Sequence, residues 1–118
     1  MTHGELPWTR LDSFRTGKEL YRLVERIARR NRKVLPATAP RMIRAASAIG
    51  GKLARSTVPV GPPAARALDR AKALRAARYV HRMLGLVQEM REGRKPDPEL
   101  IAALELSERT IGFIVSGR

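Results

Sequence analysis

The 118-residue chain contains no cysteine. That excludes a disulfide framework, an iron–sulfur cluster, a thiolate zinc site and a cysteine nucleophile. Histidine is almost as scarce. His3 and His81 are too few for an imidazole cage, and no Glu-x-x-His pair of the kind that builds di-iron sites in helical bundles occurs. Only five aromatic side chains are present (Trp8, Phe14, Tyr21, Tyr79 and Phe113), so stacking of successive bases is poorly supplied. No run of about 18 uncharged apolar residues suggests a membrane span. The first residues, with Glu5 and Trp8, lack the apolar centre of a secretory leader. Phosphate-loop, dinucleotide-binding, nucleophile-elbow and zinc-protease signatures are missing, and Gly50-Gly51-Lys52 reads as helix interior. The expectation is a cytoplasmic protein that is not an enzyme, with no catalytic residue, metal or cofactor.

Negative charge is the remaining shortage. Eleven acids face 24 Lys and Arg, a formal net charge of +13, and arginine outnumbers lysine 19 to 5. Hydrophobic residues at 43% argue for a folded chain. Such a balance points to a polyanionic partner, and the guanidinium fork binds phosphate bidentately where lysine acts as a point charge. By segment the charge is +5 for 1–36, +4 for 37–63 (which holds no acid), +6 for 64–95 and −2 for 96–118.

Apolar spacing divides a single domain, 1–118, into an arm (1–11) and four helices, at about 12–34, 38–56, 64–91 and 97–116. The first, capped by Asp12 or Ser13, buries Leu20, Leu23, Val24, Ile27 and Ala28, while Glu19 and Glu25 dilute the cations of its opposite arc. The second starts at Thr38 with Pro40 in its first turn and buries Met42, Ile43, Ala46, Ile49 and Leu53; its glycines permit close helix approach or a bend. Thr57–Pro63 (TVPVGPP) cannot continue a helix. The third buries Leu68, Ala76, Tyr79, Val80, Met83, Leu84, Val87 and Met90, with His81 on its basic arc as a surface or phosphate-contact side chain. Asp97 caps the fourth, whose core stripe is Leu100, Ile101, Leu104, Ile111 and Val115. No run alternates with period two over strand length. The fold expected is all-α, an antiparallel up-and-down four-helix bundle.

The candidate phosphate contacts are Arg22, Arg26 and Arg29 on the first helix, Arg41, Arg44, Lys52 and Arg55 on the second, and Arg75, Arg78 and Arg82 on the third. Together they predict one positive belt over three helices that binds RNA, DNA or both, steeply dependent on salt. Leu106 and Phe113, seven apart on the far side of the fourth helix, and Leu74 on the third are the candidate oligomer interface. The competing expectation is a protein–protein adaptor whose basic faces dock an acidic partner.

Residues 44–56 read RAASAIGGKLARS. They resemble the segment RAAVSIPANIAEG of the ribosomal-RNA intervening-sequence proteins, a family of small bacterial four-helix bundles. Arg44, Ala45, Ala46, Ile49 and Ala54 match without a gap, whereas Lys52, Arg55 and Ser56 stand where that family has Asn, Glu and Gly. Leu68–Met90 and Glu108–Ile114 (ERTIGFI) are similar to the long third helix and closing motif of the related accessory variability determinant proteins of diversity-generating retroelements. The resemblance spans roughly residues 12–116. It implies a strongly basic homopentamer, which in the retroelement branch binds the reverse transcriptase and its template RNA, and it carries over no catalytic residue.

Overall fold

The computed structural model describes residues 5–57 and 62–116, with side chains described for 15–52 and 62–116. Four helices account for nearly all of them: α1 (Glu5–Arg30), α2 (Thr38–Thr57), α3 (Pro63–Met90) and α4 (Pro98–Ser116), with no strand among the described residues. α2 packs on α1 and α3, and α4 packs on α3 and α1, which closes a four-helix bundle measuring 51 × 25 × 19 Å.

α1 differs most from the sequence expectation. It begins at Glu5, so Asp12 and Ser13 are helix interior and the expected arm is mostly helical. Pro7 falls in the first turn, where its missing amide leaves no hydrogen bond unmade. The helix stops at Arg30, short of the expected 34, because Asn31 closes it: the Asn31 backbone amide and Nδ2 both donate to the Ile27 carbonyl, at 3.2 and 2.8 Å. α4 starts as expected, with the Asp97 carboxylate accepting from the amides of Glu99 and Leu100 at 3.1 and 3.3 Å. The α3–α4 turn passes through Gly93, whose φ of 85° lies in the left-handed region that favours glycine.

The core holds the expected residues of α1 (Leu20, Leu23, Val24, Ile27 and Ala28) and most of those of α2 (Met42, Ala46 and Ile49); Ile43 is half-buried against it, and the Leu53 side chain lies outside the described residues. Gly17 is also buried, and a Cβ there would stand 3.4 Å from the Gly50 Cα, so α1 and α2 approach closely through glycine. In α3 the buried set is Ala73, Ala77, Val80, Leu84 and Val87. Leu68 and Met90, expected inside, are exposed.

α4 is rotated from its expected setting. Leu100, Ala103, Ser107, Thr110 and Ile114 are buried, whereas Ile101 and Val115 are exposed and Leu104 and Ile111 half-buried. Two hydroxyls enter the core because each bonds within its own helix. Ser107 Oγ donates to the Leu104 carbonyl at 2.9 Å and Thr110 Oγ1 to the Leu106 carbonyl at 2.8 Å. Periodicity pointed to the stripe of Leu100, Ile101, Leu104, Ile111 and Val115, but α4 carries apolar residues on other arcs too, and packing against its neighbours turned a different arc inward.

Candidate nucleic-acid interface

The arginines fall into two populations. On α1 each candidate phosphate contact already holds a carboxylate. Arg22 meets Glu19 at 2.8 Å, Arg29 meets Glu25 at 3.0 Å, and Arg26 reaches across to Glu99 of α4 at 2.6 Å. Arg30, not among the candidates, joins the same knot by pairing with Asp97 at 2.9 Å and also with Glu99. The end of α1 is thus tied to the start of α4. Hydrogen bonds from Arg30 and then from Arg26 hold the Glu99 carboxyl below its ordinary value of 4.5.

The two pairs within α1 follow the i, i+3 and i, i+4 rule, so the sequence contained them: Glu19 and Glu25 do not merely dilute the arc but sit on its arginines. The cross-helix knot could not be found that way, since it joins residues about seventy apart through tertiary packing. The α1 cations of the expected belt thus carry carboxylate partners in this structure.

On α2 and α3 the second population has no such partners. Arg41, Arg44, Lys52, Lys72, Arg75, Arg78 and Arg82 make no ion pair among the described residues, and all but the half-buried Lys52 are exposed. The Arg55 side chain lies outside the described residues. Helical spacing explains the grouping. Ala73, Ala77, Val80, Leu84 and Val87 turn inward, which leaves Arg75, Arg78 and Arg82 (i, i+3, i+7) on the opposite, outward line.

Two depressions mark this face. One runs along α3, where Arg75, Arg78 and Arg82 surround Ala71 and Leu74. The other lies between α2 and α3, lined by Ala45, Lys52, Lys72, Arg75, Ala76 and Tyr79. Arg75 lines both and joins them. The Arg82 Cζ stands 6.0 Å from the centre of the Tyr79 ring, at the outer limit of cation–π attraction.

Another concavity lies at the α3–α4 turn and is of mixed sign. Its cations Arg91, Arg94 and Lys95 are offset by Glu89, Glu92 and Asp97, and Arg91 already donates to the Lys95 carbonyl at 2.9 Å. His81 is also withdrawn from the basic surface. It is half-buried between α3 and α4, with Nδ1 2.6 Å from Ser107 Oγ. Ser107 Oγ also lies 2.9 Å from the Leu104 carbonyl, so His81 is held on a buried hydroxyl of α4 and the imidazole serves packing.

Of the candidate interface residues, Leu74 and Leu106 are half-buried and pack against the core, and Phe113 is half-buried. No group of three or more metal-ligating side chains occurs among the described residues, and no described helix is long and apolar enough to cross a membrane. Comparison with protein families, curated proteins and solved structures finds no match.

Proposed function

We propose that this bundle is a non-enzymatic nucleic-acid-binding protein that engages backbone phosphates through the α2–α3 face. One observation carries the reading. Seven cations on this face lack a carboxylate partner among the described residues, while the α1 arginines of the expected belt are paired. Exposed unpaired guanidinium and ammonium groups release the counterions of a phosphate backbone when they bind it, and that release is the driving force of non-specific association. An array of this kind reads charge and shape, not sequence.

Electrophoretic mobility or anisotropy titrations with RNA and DNA from about 50 to about 500 mM salt test this. The expected log–log slope approaches about 6 on a duplex if all seven cations neutralise a phosphate, at about 0.9 each. A flat response would contradict the reading.

Self-association belongs to the same proposal. α4 carries Glu99, Glu105 and Glu108 against Arg109 and exposes Ile101 and Val115, so it offers an apolar surface of sign opposite to the α2–α3 face. The resemblance to accessory variability determinants extends the proposal to a cytoplasmic homopentamer working beside a reverse transcriptase. Light scattering on the purified chain reports the copy number.

A further inference from the structure

We propose that the groove between α2 and α3 is a pocket for one unpaired nucleotide, with the base on the Tyr79 ring and its phosphate among Lys52, Lys72 and Arg75. This rests on the nucleic-acid reading above and goes beyond it, because a phosphate array alone does not distinguish strand from duplex. The scarcity of aromatics argued against stacking along a strand. It does not argue against one ring placed in the middle of the cations.

Three features give the groove its chemistry. Its floor is apolar, made by Ala45, Ala76 and the half-buried Tyr79. Its rim is cationic and comes from both helices, Lys52 from α2 and Lys72 and Arg75 from α3, with no acid lining it. Tyr79, packed against the core on one side, lines the groove beside these two alanines. A ligand that satisfies both parts needs a flat unsaturated face joined to an anion, and a nucleotide has both.

Arg82 fits the same arrangement. Its guanidinium lies 6.0 Å from the ring centre, not at the roughly 3.5–4.0 Å of direct carbon contact. Arg82 thus stands over the ring at the outer limit of cation–π attraction, and a base seated on that face displaces it outward. In a duplex the base faces are covered by their neighbours, so only an unpaired residue can use Tyr79.

Ring-proton NMR of the unaltered protein tests the proposal directly, because the chain has two tyrosines and Tyr21 lines a different groove, between α1 and α2. A short unpaired oligonucleotide is expected to shift the Tyr79 ring protons and leave those of Tyr21 in place, and a blunt duplex of equal length to move neither. In anisotropy titrations Tyr79→Leu is expected to weaken the unpaired strand roughly tenfold and the duplex less than about twofold, with Tyr79→Phe close to the parent on both. Lys52→Gln with Lys72→Gln weakens both ligands.

Tyr79 signals that stay fixed while the strand binds would overturn the pocket and leave the phosphate face standing, as would a folded Tyr79→Leu variant that weakens strand and duplex alike. Should Tyr79→Leu fail to fold, the NMR result on the parent decides. Binding of an acidic polypeptide with neither nucleic acid bound would overturn the pocket together with the function it rests on.

Discussion

Glu99 shows how one residue can serve two ends of the chain. It lies in the first turn of α4, where a negative charge suits the positive end of the helix dipole, and it accepts guanidinium hydrogen bonds from Arg26 and Arg30 of α1. Since its carboxyl is held below the ordinary value of 4.5, its contribution to stability is present above that pH and fades as the pH falls through the lowered value. Glu99→Gln is therefore expected to melt below the parent near pH 7 and to converge with it as the pH falls through the lowered value, where the parent carboxyl is itself protonated. Thermal melts across that range check this, and a gap independent of pH would assign the loss to packing instead of charge. The residue scale also explains why composition overstates the number of cations without a partner. A count of arginines treats every guanidinium alike, but Arg22, Arg26 and Arg29 each hold a carboxylate, whereas Arg75, Arg78 and Arg82 hold none among the described residues.

At the scale of the elements, periodicity was most informative where polar and apolar residues separate cleanly. α1 and α2 are such helices, and all five residues expected in the α1 core are buried. α4 is the opposite case. The stripe of Leu100, Ile101, Leu104, Ile111 and Val115 was expected inside, yet Leu106, Phe113 and Ile114 make other arcs apolar as well, and the arc that faces inward includes Ser107 and Thr110. Hydropathy could not have placed them there. Their hydroxyls bond to carbonyls of their own helix, which removes most of the cost of leaving water. The start of α1 was missed for a related reason. Asp12 and Ser13 are good capping residues, yet nothing breaks the helix ahead of them, since Pro7 occupies the one turn that tolerates proline.

Glycines inside helices supply a prediction at this scale. A Cβ added at Gly50 or at Gly112 meets nothing within 4 Å, and both lie within helices. Gly50→Ala and Gly112→Ala are each expected to raise stability by about 0.5–1 kcal/mol, measured by denaturant unfolding. Gly17→Ala gains less, because its Cβ would stand 3.4 Å from the Gly50 Cα across the α1–α2 contact. A loss at Gly112 together with a change in copy number would place that face of α4 in a subunit contact.

For the molecule as a whole, sign is segregated. The α2–α3 side carries seven cations with no carboxylate partner among the described residues, the junction of α1 with α4 is an ion-pair knot, and α4 is net negative. The 51 Å rod is long enough to lie along more than one turn of a duplex, at about 34–36 Å per turn. A formal charge of +13 repels further copies of the same chain, so assembly and polyanion binding are expected to support each other, with nucleic acid raising the copy number at low salt.

Position, not total charge, is the central claim, and two variants of equal net charge isolate it. Arg22→Gln with Arg29→Gln removes two paired cations of α1, and Arg78→Gln with Arg82→Gln removes two cations of α3 that hold no carboxylate among the described residues. In salt-titrated binding to one duplex, the α3 pair is expected to lower the log–log slope by about 1.8 and the α1 pair to leave it nearly unchanged. Equal losses in the two variants would contradict the account, because net charge alone would then explain the binding.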